Sequence, residues 1–165
     1  MTIFTHADIR HLRAAEGWLD LGNCQEASEE LERITPLFRA HPEVLLLRWN
    51  IYRLAKKWDY ALALAEGLTE SAPGDPRGWI KLCQAFYCTG KIQQAYDLAT
   101  LKLRDFSNDW HFHDDTACYA CLLGKRQEAE DFLNKAMELG DADEVKLLAL
   151  EDADLNELWR AKSTG

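Results

Sequence analysis

Proline and glycine are scarce, four and nine in 165 residues. That scarcity excludes collagen-like and low-complexity linker chains and leaves room for long uninterrupted helices. No apolar run approaches the roughly 20 residues that a helical membrane span needs. Basic residues are short as well, 19 against 28 acidic, so the net charge is −9 and the pI is near 5.0. Attraction to nucleic acid or to an anionic membrane is therefore not expected. Also missing are a Gly-rich phosphate loop, a G-x-S-x-G turn, an H-E-x-x-H helix and a calcium loop, so the chain reads as no enzyme and calls for no cofactor. The opening Met1-Thr2-Ile3-Phe4-Thr5-His6 runs straight into Asp8, Arg10 and Arg13 with no apolar leader core. Its five cysteines are odd in number and lie mostly in apolar helical stretches, as in a reducing compartment. The cytoplasm is the expected location.

What the sequence does contain is a period. Ala27, Ala61, Ala95 and Ala129 stand 34 residues apart without insertion. Nine residues before each come Trp18, Tyr52, Phe86 and Ala120; five before come Gly22, Lys56, Gly90 and Gly124; four after come Leu31, Ala65, Ala99 and Leu133. Each unit holds two apolar-periodic stretches of helix length, broken near Gly22, Lys56, Gly90 and Gly124. Glycine supplies the helix stop at three of those four breaks. Pro42 and Pro76 suit the first turn of a following helix, where a missing N–H costs nothing. The alanines sit early in each second helix, where only a small side chain lets two backbones approach closely. One such pair cannot bury both its apolar faces, so the units must stack.

This period and spacing resemble the tetratricopeptide repeat (TPR) family over roughly residues 8–143. The resemblance implies an all-α fold, a right-handed α-α superhelix of four helix-turn-helix repeats plus a C-terminal capping helix. The repeats are 8–41, 42–75, 76–109 and 110–143, with a cap over 144–161, and the whole of 1–165 is read as one domain. Leu147, Leu150, Leu155, Leu158 and Trp159 are placed to cover the last pair, and the Asp152–Trp159 stretch looks like the end-of-group segment of many bacterial TPR proteins. Some positions depart from the pattern: Arg39 and Asp141 replace the proline that the second unit has at Pro73, Ala120 replaces the aromatic, and Lys102 stands where Leu68 packs one unit earlier. At the amino end, Thr5-x-x-Asp8 reads as a capping box.

Members of the family usually hold a partner protein along the face of their first helices. Carried onto this chain, that face gives Leu12 and Glu16, then Leu46, Leu47, Asn50 and Arg53, then Arg77, Ile80, Lys81, Gln84 and Tyr87. The implied function is a protein–protein interaction module that receives a peptide or helix, with the leucines, Ile80 and Tyr87 as apolar contacts. Asn50 and Gln84 offer donor and acceptor together to a peptide backbone. Residues 76–109 carry five basic against three acidic side chains, so Arg77 and Lys81 suit an acidic element in the partner. A chaperone-tail clamp of the kind some TPR proteins have fits poorly, because Leu12, Glu16 and Leu47 occupy three of its five places.

Two other readings stand beside this one. A small acidic TPR chaperone for a secreted bacterial substrate has similar length and charge. A metal or thiol sensor would use His111, Asp115, Cys118 and Cys121, which spacings of four, three and three put on one side of one helix. A lone Cys-x-x-Cys inside a helix is a poor zinc frame, since structural sites draw cysteines from turns; packing is the plainer role. His113, Trp49, Trp58 and Trp110 are likewise read as packing residues.

Overall fold

The computed structural model describes residues 4–151, with side chains through residue 147. Among the described residues the order is α1 (His6–Asp20), α2 (Cys24–Glu32), a short 3₁₀ helix (Pro36–Phe38), α3 (Pro42–Leu54), α4 (Trp58–Ser71), α5 (Pro76–Cys88), α6 (Ile92–Lys102), α7 (Trp110–Leu122), α8 (Arg126–Leu139) and α9 (Ala142–Glu151), with no strand. The architecture is all-α and built of helix-turn-helix pairs, as the period requires. Leu155, Leu158, Trp159 and the rest of the 152–161 stretch expected to finish the cap lie outside the described residues.

Each pair turns in the same way. The N–H of Asn23 donates to the Trp18 carbonyl at 2.8 Å and that of Gly22 to Leu19 at 2.9 Å. The same two bonds recur as Lys57 to Tyr52 and Lys56 to Arg53, Lys91 to Phe86 and Gly90 to Tyr87, and Lys125 to Ala120 and Gly124 to Cys121. This is the Schellman pattern, which requires a left-handed residue after the helix. Gly22, Gly90 and Gly124 have φ values of 73°, 77° and 73°, and Lys56 takes φ 55° in the same place. The second repeat thus makes the glycine turn with a lysine.

First helices are capped by side chains, whereas three of four second helices are not. Thr5 and Asp8 form the reciprocal capping box, while Asp75 and Asp109 accept N–H bonds at the starts of α5 and α7. Asp141 does the same for the last helix, bonding the N–H groups of Asp143 and Glu144. Asn23 caps α2, but Lys57, Lys91 and Lys125 offer α4, α6 and α8 no acceptor.

By its contacts the chain divides into two compact units, one up to Pro73 and one from Gly74 onward. In the first, Ala15, Ala27, Leu31, Ile34, Phe38, Val44 and Ile51 form the core. Phe38, from the 3₁₀ turn, meets Phe4 with ring centroids 5.0 Å apart. Asp8 closes this unit from within: although buried, it receives the Thr35 N–H at 2.8 Å and the Thr5 hydroxyl at 2.6 Å. Those bonds, Thr5 first, hold its carboxyl down to about 2.

The second unit has the larger core, with Cys83, Ala95, Tyr96, Ala99, Phe112, Tyr119, Ala129, Leu133 and Val145 among its members. The key alanines of all four repeats are completely buried. Two departures from the repeat pattern find partners here. Lys102 holds its ammonium 3.8 Å from the centre of the Trp79 ring, so its stem covers what a leucine would. Ala120 is fully buried in the aromatic slot, and its neighbour Tyr119, also buried, has its ring 5.6 Å from that of Tyr87. His113 is buried as expected, bonding the Ser107 carbonyl through Nε2 at 2.9 Å. One expectation needs correcting. Leu147 is 57% exposed and Val145, fully buried, seals α9 onto the core instead.

Candidate functional site

The first-helix face of the first unit is built on α1 and α3. Leu12 and Leu47 are half-buried and pack against the core, so only their outer edges are available. Leu46 and Asn50 are half-buried, and Glu16 and Arg53 are exposed. Spacings of four and three residues bring Leu46, Asn50 and Arg53 to one side of α3. Neither the Asn50 nor the Arg53 side chain has a hydrogen-bond or ion-pair partner among the described residues. An open pocket of about 410 Å³ lies elsewhere in this unit, lined by Cys24, Gln25, Ser28 and Glu29 of α2, Ile51 and Tyr52 of α3, and Ala55 and Lys57.

On the second unit the expected residues divide. Ile80 is core: it is 9% exposed and packs among Cys83, Tyr119 and their neighbours, which leaves it little to offer a partner. The helical spacing that put it beside Arg77 and Lys81 is correct, but the boundary between face and core falls one residue outward. Tyr87 is half-buried on Tyr119. Arg77 binds Asp75 through both carboxylate oxygens, with Nε–Oδ1 at 3.1 Å and Nη2–Oδ2 at 2.8 Å. That contact holds the Asp75 carboxyl below the usual range. Gln84 is engaged on both ends: its Oε1 accepts from Lys81 Nζ at 3.3 Å, and its Nε2 donates to Asp115 Oδ2 at 3.0 Å.

The four Cys/His/Asp positions of α7 enter different surroundings. His111 is exposed, stacks on Trp110 with ring centres 3.7 Å apart and lies 3.4 Å from Asp109. Asp115 faces Gln84, Cys118 is buried and Cys121 packs partly into the core. Among the described residues no three His, Cys, Asp or Glu side chains come together to hold a metal ion. Burial, aided by the Asp115 charge, pushes the Cys83 thiol far above its ordinary range, so it stays a neutral, inert filler.

Comparison with solved structures decides the fold. TTC0263, a thermophilic TPR protein of Thermus thermophilus, superposes with a TM-score of 0.77 at 22% identity, over 94% of this chain and 82% of its own. MamA from Desulfovibrio magneticus superposes with a TM-score of 0.63 at 17% identity, over 80% of this chain and 75% of its own. The chain has the tetratricopeptide-repeat fold. No family model matches the sequence, and no curated protein does. Within the TPR frame, two features of the site had no signal in the sequence. The Lys81–Gln84–Asp115 chain joins residues up to 34 apart, which coincides with the repeat period but is not dictated by it. Nor does the period show that Asp75 takes Arg77, since an N-cap aspartate bonds backbone in either case.

Proposed function

We propose that this TPR chain is a protein–protein interaction module whose first-helix faces receive a peptide or helix of a partner protein. The observation that carries this reading is the Leu46–Asn50–Arg53 row on α3. An apolar edge, an amide and a guanidinium share one side of a helix, and the two polar groups are unengaged within the described residues. A row of that kind does nothing for the core. It offers a partner an apolar contact, a donor–acceptor pair for backbone, and a charge-assisted hydrogen bond to a carboxylate. Arg77 and Lys81 extend the same chemistry in the second unit, and an acidic element in the partner suits them.

The test is recovery of partners on the immobilised chain followed by mass spectrometry, repeated with Asn50→Ala/Arg53→Glu and with Arg77→Glu/Lys81→Glu. Both double variants should lose the partner. Their melting temperatures should stay close to the parent's, because exposed ion pairs such as Arg77–Asp75 are worth about 0–1 kcal/mol. Arg104→Glu is the control, an exposed charge just past α6 and on none of the first helices. Lys125 would serve badly here, since it lies 4.1 Å from the centre of the Tyr96 ring and pairs with Glu128. Loss of the partner with Arg104→Glu alone, or its retention by both double variants, sinks the reading.

A further inference from the structure

The turns inside the four helix pairs differ in charge. From Tyr52 to Trp58 the chain carries Arg53, Lys56 and Lys57 and no acidic residue. All three side chains are exposed, and none has a hydrogen bond, ion pair or ring contact among the described residues. The cations of the later turns are engaged. Lys91 lies 5.9 Å from the centre of the Phe86 ring, Lys125 lies 4.1 Å from that of Tyr96 and pairs with Glu128, and Arg126 pairs with Glu130. Lys56 tells the most, because its φ of 55° is the left-handed place that glycine takes in the other three turns. Glycine sits there more easily, and the fold draws nothing from the lysine side chain. A disfavoured backbone held at one turn of four points to use rather than to folding.

Beside this turn opens the pocket of about 410 Å³ in the first unit, with Lys57 among its lining residues. Ile51, Tyr52, Ala55 and Cys24 give it apolar walls. The Tyr52 ring lies 5.4 Å from that of Tyr60, which is 64% exposed, so aromatic surface continues out of the pocket. Two carboxylates stand nearby. Glu29, also in the lining, accepts from Gln25 at 3.3 Å and pairs with Arg33 at 3.9 Å. Asp59, in the first turn of α4, forms no ion pair with either lysine. Lys57 leaves the start of α4 without a side-chain acceptor, so the positive end of that helix adds to the same field.

We infer that the α3–α4 turn and its pocket take a segment of a partner protein in which a bulky apolar side chain stands beside an acidic one. The apolar side chain enters the pocket, and the carboxylate faces Lys56 and Lys57. This rests on the interaction-module reading, since the turn continues the α3 row past Arg53, and it names the chemistry of the partner. Exposed charge pairs contribute little by themselves. The pocket therefore supplies affinity by burying apolar surface, and the lysines supply direction and choice. A polyanion without the apolar anchor would gain only the charge attraction and would meet the net −9 of the chain.

The experiment selects a displayed random-peptide library on the full chain and measures chosen peptides by fluorescence anisotropy, with circular dichroism melts of every variant. Selected sequences should share a bulky apolar residue next to an acidic one. For such a peptide, Lys56→Gln/Lys57→Gln should weaken binding about tenfold, and replacing either peptide residue by alanine should do the same. Lys56→Gly alone should melt higher than the parent and yet bind less tightly, a pairing that a merely structural lysine would not give. Ala55→Trp, which narrows the pocket from an exposed position, should also weaken binding about tenfold. Peptides that ignore these variants but are lost with Asn50→Ala/Arg53→Glu overturn the inference and leave the module reading intact. Peptides enriched in acidic residues alone, bound equally well by Ala55→Trp, overturn it too, since they need charge and no pocket. No selected peptide at all, or peptides insensitive to every one of these changes, overturns both readings.

Discussion

Asp8 does more than its place in the sequence suggests. Thr5-x-x-Asp8 marks a helix start, and the reciprocal bonds of the capping box are present. The other carboxylate oxygen, however, reaches across to the Thr35 N–H, 27 residues on, tying the start of α1 to the loop after α2. Its carboxyl is held at about 2, below the ordinary value near 3.9. The sign follows from linkage: a depressed carboxyl adds stability that is present above about pH 4 and is lost as the pH falls toward about 2. Asp8→Asn removes that charge and offers an NH₂ where Thr5 needs an acceptor. Thermal melts between pH 2 and 6 should show the parent well above the variant at pH 6 and the gap closing between about pH 4 and pH 2. A gap that does not change with pH would assign the effect to packing rather than to the carboxylate.

At the level of the helix pair, the same turn is made four times with three glycines and one lysine. A side chain in the left-handed region is disfavoured by about 1 kcal/mol, partly offset because glycine loses more chain entropy on folding. Lys56→Gly should therefore raise unfolding stability by about 0.5–1 kcal/mol in urea titrations, and Gly90→Ala should lower it. The pair's closest approach is tested by Ala95→Leu, which forces a branched side chain into a fully buried alanine site. It should cost about 1–3 kcal/mol. Gln93→Leu, two residues earlier and exposed, loses only a surface bond to Asp97 and should cost far less. Equal costs would mean the small-residue contact is not where the chain closes. These alanines and turns were legible in the sequence because a strict 34-residue period multiplies a weak local signal by four. Ile80 and Leu147 were misread for the opposite reason. Each is a single position near the edge of a helical face, where one residue is a rotation of about 100° and tertiary packing alone decides inside from outside. The Gln84–Asp115 and Asp8–Thr35 bonds lay beyond the sequence altogether, since polar side chains choose partners only once backbones are placed.

Over the whole chain, charge follows the alternation of helices. The first helices α1, α3, α5 and α7 hold six acidic and six basic side chains, whereas α2, α4, α6 and α8 hold twelve acidic and three basic. The second helices thus carry −9, equal to the net charge of the whole chain. Such an excess keeps a protein soluble and repels polyanions, but it specifies no contact. The first helices are neutral on balance, with both signs present on α1 and α3 and one sign each on α5 and α7, which is an arrangement that can discriminate between partners. Neutralising second-helix acids should then alter bulk behaviour and leave recognition alone. Glu66→Gln/Glu70→Gln changes two exposed side chains of α4. The variant should elute earlier in anion exchange, unfold within about 0.5 kcal/mol of the parent and recover the same partner in the same yield. Loss of the partner from this variant, with Arg53 and Lys81 intact, would place the binding surface on the second helices and undo the assignment made here to the first.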